Sequence, residues 1–238
     1  MDDMRINAII WDYDGTLVDT RMKNFNVTRT IISEITNGLS RDYPVLNSLE
    51  NYIHATNINA NWRELYRNEF GFSEDQIDYA GKLWAKYQLL DKTEVNIFMG
   101  IDTTIKKLKD YPQGIVSQNS SENIKLSLDT LGLKKYFNVV VGYEEVDLSK
   151  QKPNPDGLLA CLSAITNLDS NPSVIYIGDH QTDIQCAHNA NYQLKRKAVL
   201  SILVNFNQSN MIENWEFKPD HCAASSEDII DIIDNILI

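Results

Sequence analysis

The stretch that most constrains this chain is Ile9-Ile10-Trp11-Asp12-Tyr13-Asp14-Gly15-Thr16. Ile6 and the run from Ala8 to Trp11 predict a short buried strand, and the run ends in two carboxylates one residue apart. Like charges at that spacing repel and resist desolvation, so a bound cation or a catalytic task is the economical reason to place them at the mouth of a strand. Successive strand side chains point to opposite faces, but a turn through Gly15 lets Asp14 swing back toward Asp12. Phosphate-ester chemistry suits such a pair, with Asp12 attacking phosphorus and Asp14 handling protons. A carboxylate is a weak nucleophile, so Mg²⁺ is needed to hold it against an anionic phosphate and to draw charge off the phosphoryl oxygens. Further acids, a phosphate-binding hydroxyl and a lysine are then expected elsewhere in the chain.

Patterning divides the rest of the sequence. From Arg21 to about Leu90 there is almost no strand signal: Phe25, Ile31, Ile32 and Ile35 form a helical stripe that stops at Asn37-Gly38. Further helices are predicted over 49–54, 61–70 and 74–90, the last with Ser73 in N-cap position. From Ile101 onward, helices over 103–109, 122–131, 156–165, 182–189 and 227–236 alternate with strands over 114–117, 138–141, 174–177 and 199–204. Buried strands alternating with helices imply an α/β class, Rossmann-like, with a parallel sheet covered on both faces. Ligands in such sheets bind at the carboxyl ends of the strands. The expected division is an α/β core of residues 1–19 and 96–238 with an all-helical insert of 20–95.

Each predicted core strand ends in a polar signature. Ser117-Gln118-Asn119 delivers a hydroxyl and two amides where a phosphate oxygen would need donors. Lys152 stands just before Pro153-Asn154-Pro155, whose prolines stiffen the backbone ahead of a helix. Gly178-Asp179-His180-Gln181-Thr182-Asp183 offers a tight turn and two carboxylates four apart. Taken singly, the aspartates suit caps and turns, Ser117 suits a turn as well as a phosphate contact, and Lys152 is an ordinary surface residue. Four such signatures in series favour one shared site.

In order and approximate spacing, the four segments resemble the motifs of the haloacid dehalogenase superfamily of phosphohydrolases, and among them phosphoglycolate phosphatase-like members. The resemblance covers the whole chain and implies the α/β core with a helical cap domain inserted after the first motif. It implies Asp12 as the nucleophile that forms an aspartyl-phosphate, and Asp14 as the residue that protonates the leaving group, activates water and lends its backbone carbonyl to Mg²⁺. Ser117, Gln118 and Lys152 would hold phosphoryl oxygens. Asp12, Asp14 and Asp179 would be the metal-binding set, with Asp183 a ligand or an orienter of ligands. Members that break carbon–halogen bonds do not need the second acid, so Asp14 points to phosphoryl transfer. A small phosphorylated metabolite is the implied substrate: phosphoglycolate-like, a sugar phosphate or a nucleotide. A phosphosugar mutase of the same superfamily and a non-catalytic phospho-ligand-binding protein stay open.

Some positions depart from the pattern or carry a modest expectation. Asn191 is expected to take the left-handed conformation where relatives often have glycine, and Tyr192 to Lys197 to form an exposed loop clustering Lys195, Arg196 and Lys197. His180 is expected to face solvent, and Asp19 with Thr20 to cap the first helix of the insert.

The formal net charge of −11 argues against general nucleic-acid affinity. Three cysteines without CxxC spacing indicate neither a disulfide framework nor a zinc site. The first residues lack a basic segment with an apolar run behind it, and no stretch reaches the length of a membrane span. A cytoplasmic protein, monomeric or homodimeric and without membrane partners, is expected.

Overall fold

The computed structural model describes residues 6–59, 61–166, 173–206 and 212–236. The apolar opening run forms β1 (Ile6–Trp11), in which Ala8, Ile9, Ile10 and Trp11 have no exposed surface. Such burial on both faces is what a central strand of a covered parallel sheet requires. Short strands β2 (Val18–Asp19) and β3 (Asn96–Ile97) pair with each other, and between them lie the helices α1 (Arg21–Ile35), α2 (Leu49–Ile58), α3 (Trp62–Phe70) and α4 (Glu74–Leu90). Beyond them come α5 (Ile101–Lys107), β4 (Gln113–Val116), α6 (Ser121–Thr130), β5 (Val139–Val141), α7 (Asp156–Ile165), β6 (Ser173–Gly178), α8 (Gln181–Leu194), β7 (Val199–Val204), β8 (His221–Ala223) and α9 (Ser226–Ile236).

The chain forms two compact units, Met1–Val18 with Ile97–Ile238, and Asp19–Asn96. In the first, a six-stranded sheet runs in the order β5-β4-β1-β6-β7-β8, every pairing parallel. One face packs Ala8, Ile10, Val174 and Tyr176 against Leu158, Leu162, Cys186 and Ala190 of α7 and α8. A buried hydrogen bond secures the centre: the Trp11 indole N–H donates to Gln113 Oε1 at 3.0 Å, while Gln113 Nε2 donates to the Ile105 carbonyl at 3.0 Å. The indole thus stays buried without an unsatisfied donor. The second unit has its own core, in which Tyr66 meets Phe70 edge-on at 5.3 Å among Ile31, Ile32 and Ile77. α1 ends where Asn37 and Gly38 take positive φ, and Ser73 with Gln76 forms a capping box at the start of α4.

Register brings the site together. Trp11 pairs with Ile115 on one side and Ile177 on the other, and the Asp12 N–H donates to the Ile177 carbonyl at 2.7 Å. Asp12, Ser117 and Asp179 therefore leave the sheet at the same carboxyl edge.

Two expectations are corrected. α8 continues to Leu194, so Tyr192 belongs to the helix, and the left-handed residue that ends it is Lys195, φ 53°. Asn191 stays helical because its side chain is engaged: Oδ1 accepts from the Ala198 and Val199 N–H groups at 2.7 and 2.8 Å, and Nδ2 donates to the Val199 carbonyl. Lys197 then pairs with Asp220 at 2.6 Å. The strand β8 was not anticipated; three residues at a sheet edge carry little periodicity. Residues 1–5, read for a leader, lie outside the described residues. Among the described residues no helix is long and apolar enough to cross a membrane.

Candidate active site

The first loop sets the geometry. Gly15 has φ +80°, and a Cβ built there would stand 2.0 Å from Asp179 Oδ2, so only glycine lets this backbone approach the Asp179 carboxylate. Thr16, fully buried, places Oγ1 3.5 Å from Asp179 Oδ1. Gly178 plays the matching part at the end of β6: a Cβ there would lie 2.4 Å from Asp183 Cγ, so its absence lets the Asp183 carboxyl fold back over the strand end.

Lys152 is the buried cation of the site. Its Nζ lies 2.5 Å from Asp12 Oδ1 and 2.7 Å from Asp183 Oδ1, and 5.3 Å from the centre of the Tyr176 ring. Burial alone would pull its pKa down, but Asp12 and Asp183 more than offset this and hold the ammonium charged. Gln118 contributes from the neighbouring strand end, its amide donating to the Lys152 carbonyl at 3.2 Å. Ser117, nearly buried, accepts from the Asn119 N–H at 3.1 Å.

Asp183 is engaged at both oxygens. Oδ1 accepts from Lys152 and from the Tyr176 hydroxyl at 2.8 Å; Oδ2 accepts from the His180 N–H at 3.1 Å. His180 does not face solvent as expected: it is half-buried and caps α8, its Nδ1 accepting from the Thr182 N–H at 3.3 Å. Burial holds its imidazole below the usual pKa. Asp19 binds Arg21 through both oxygens and takes the Arg21 N–H at 3.1 Å, while Thr20 makes no side-chain cap.

The carboxylates outnumber the cation. Asp12, Asp179 and Asp183 each bring an oxygen to within 4.8 Å of the others. Burial, and then the neighbouring acids, push Asp12 up to about 7 despite Lys152, and raise Asp179 well above its ordinary value. An all-oxygen set carrying this much uncompensated negative charge fits a hard divalent cation, so these residues could hold a metal ion. Both Asp14 oxygens accept from Asn119 Nδ2, at 3.2 and 3.0 Å.

Comparison with known proteins shows the family. The sequence profile of the haloacid dehalogenase-like hydrolases matches residues 9–196. The chain belongs to this family. A pyrophosphatase PpaX of Bacillus cereus is 24% identical over 98% of this chain and 99% of its own. Among solved structures, a protein from Bacteroides fragilis described as a haloacid dehalogenase-like hydrolase superposes with TM-score 0.75 at 20% identity, covering 94% of this chain and 100% of that one. A predicted phosphoglycolate phosphatase from Haemophilus somnus gives 0.71 at 18% identity, over 96% and 98%. These structural likenesses show the shared fold of the family.

Within that haloacid dehalogenase-like core, three residues touch the acids in ways the sequence did not suggest, Asn119 having been expected to donate to a phosphate oxygen instead. Thr16 was only part of the loop motif. Tyr176 is a phenol in an otherwise aliphatic strand, a signal available in Val174-Ile175-Tyr176-Ile177. Asn119 stood in the second motif, but nothing in the sequence pairs it with Asp14, 105 positions away.

Proposed function

We propose that this hydrolase is a Mg²⁺-dependent phosphatase that moves the phosphoryl group of a small phosphorylated metabolite onto Asp12 and then onto water. The observation that carries the reading is the buried Lys152 ammonium, 2.5 Å from Asp12 at the carboxyl end of β1, within a cluster of carboxylates. A carboxylate so buried and so paired is costly as structure alone. Asp12, Asp179 and the Asp14 backbone carbonyl would hold Mg²⁺, with Asp183 orienting them. When bound, the ion offsets charge between the carboxylates and the phosphoryl oxygens.

The residues then have distinct tasks. Lys152 grips one oxygen of Asp12 and, with Ser117, receives phosphoryl oxygens; Gln118 holds the Lys152 backbone. Asp12 forms the new O–P bond as the ester O–P bond breaks, and Asp14 gives its proton to the departing oxygen. In the second half Asp14 takes a proton from water, whose oxygen attacks phosphorus and frees Asp12. The helical unit Asp19–Asn96 is taken as the substrate-selecting insert of the family. Phosphoglycolate-like esters, sugar phosphates and nucleotides are the substrate classes, joined by inorganic pyrophosphate on the strength of relatives with that activity in their name.

The test is phosphate release from a panel of these compounds with Mg²⁺, beside Asp12→Asn. Turnover that disappears with Asp12 supports the reading; equal activity in both proteins sinks it. Isomerised ester without phosphate release would make the protein a mutase.

A further inference from the structure

We infer that Asn119 is a positioning residue whose side-chain amide fixes the Asp14 carboxylate in the direction of the leaving group. The inference rests on the proton-transfer role proposed for Asp14. Its own ground is the contact: Asn119 Nδ2 lies 3.0 and 3.2 Å from the two Asp14 oxygens.

The orientation of that amide is determined by its other end. Oδ1 accepts from the Ser120 N–H at 2.8 Å and from Asn123 Nδ2 at 3.1 Å, so the oxygen faces the start of α6 and the NH₂ faces Asp14. The backbone is tied too. The Asn119 N–H donates to Ser117 Oγ at 3.1 Å, and its carbonyl accepts from the Tyr143 N–H at 3.1 Å. Glu144 clamps the next turn by accepting from the Ser121 N–H at 2.9 Å. Asn119 is 2% exposed, so little water competes for the donor. Asp14 itself stands on a loop, where a carboxyl rotates about two torsions unless something outside the loop holds it. A rigid donor anchored on another strand end supplies that hold.

Orientation of a general acid has a specific kinetic signature. A departing oxygen of high basicity needs its proton in the transition state, whereas a stabilised phenolate leaves with little help. Misdirecting Asp14 should therefore slow esters of basic leaving groups most. A residue that merely supports the fold would slow all esters alike.

The test compares kcat/KM for phenyl phosphate and p-nitrophenyl phosphate in the wild type, Asn119→Ala and Asn119→Asp. Asn119→Asp keeps an acceptor toward Ser120 and Asn123, so α6 retains its contacts while the donor is lost. Both variants are expected to lose about ten-fold more on phenyl phosphate than on p-nitrophenyl phosphate, part of the roughly 10²- to 10⁴-fold that general acid catalysis supplies. Equal losses on the two esters, or none, overturn the inference and leave the phosphatase reading standing. Ester hydrolysis that survives Asp12→Asn overturns that reading and the inference with it.

Discussion

Lys152 and Asp12 form an ion pair of 2.5 Å across 140 residues of chain, with 5% and 10% of their side chains exposed. One ammonium contacts Asp12 and Asp183, with Asp179 beside them, so this pair lies within a cluster of net negative charge.

Removing the cation should therefore cost stability in a pH-dependent way. Lys152→Met is expected to destabilise the metal-free protein by about 3–5 kcal/mol at pH 8, where Asp12 is ionised, and by less at pH 5. Urea unfolding in the presence of a chelator measures both values; a loss that is the same at the two pH values would contradict the electrostatic account.

The raised acids give the folded protein itself a pH slope. Asp12 moves from 3.8 to about 7 on folding, and Asp179 moves in the same direction. Between those values the native state keeps protons that the unfolded chain has released, so metal-free stability falls as pH rises from about 4 through about 7. Mg²⁺ binds the ionised form and should reverse the loss. The Mg²⁺-induced rise in Tm is expected to be larger at pH 8 than at pH 5, and scanning calorimetry at the two pH values checks the order.

Asp12→Asn should separate function from stability. It abolishes turnover, yet without metal it is expected to stabilise the fold at pH 8 by about 1–2 kcal/mol, since a buried carboxylate that resists ionising becomes a neutral amide. A clear fall in the urea midpoint would show that the Lys152 pair outweighs the cost of burying the charge.

Tyr176→Phe removes one of three donors to Asp183 without changing the packing of the ring. The expected result is a loss of about 1–2 kcal/mol in stability. Activity or Mg²⁺ affinity should fall about ten-fold, because Asp183 and Lys152 lose a shared constraint. Unchanged Mg²⁺ titration and kinetics would reduce Tyr176 to a core residue.

Legibility in the sequence followed the range of the interactions. β1, β7 and α7 were readable because apolar runs and prolines are local, and Asp12 and Asp179 stood out because each follows such a run. The last turn of α8 was not readable: beyond Ala190 the apolar stripe fades, and Asn191 is held helical by bonds to Ala198 and Val199 across a turn. The Tyr176–Asp183 and Asn119–Asp14 contacts depend on how strand ends converge, which no local pattern reports. Asn119 shows the difference within one residue. Its place in the second motif was visible, while the target of its amide lies on another strand end.

The strand order has a consequence for how the molecule is made. β1 emerges first, yet it lies between β4 and β6, so both of its neighbours are synthesised after the entire helical unit. Until residues near 178 leave the ribosome, this buried central strand, together with Asp12 and Asp14, has only half of its sheet. The nascent chain therefore carries an unpaired hydrophobic edge through most of translation, the kind of segment that chaperones recognise, and the carboxylate cluster comes together only as the second half of the sheet closes around it.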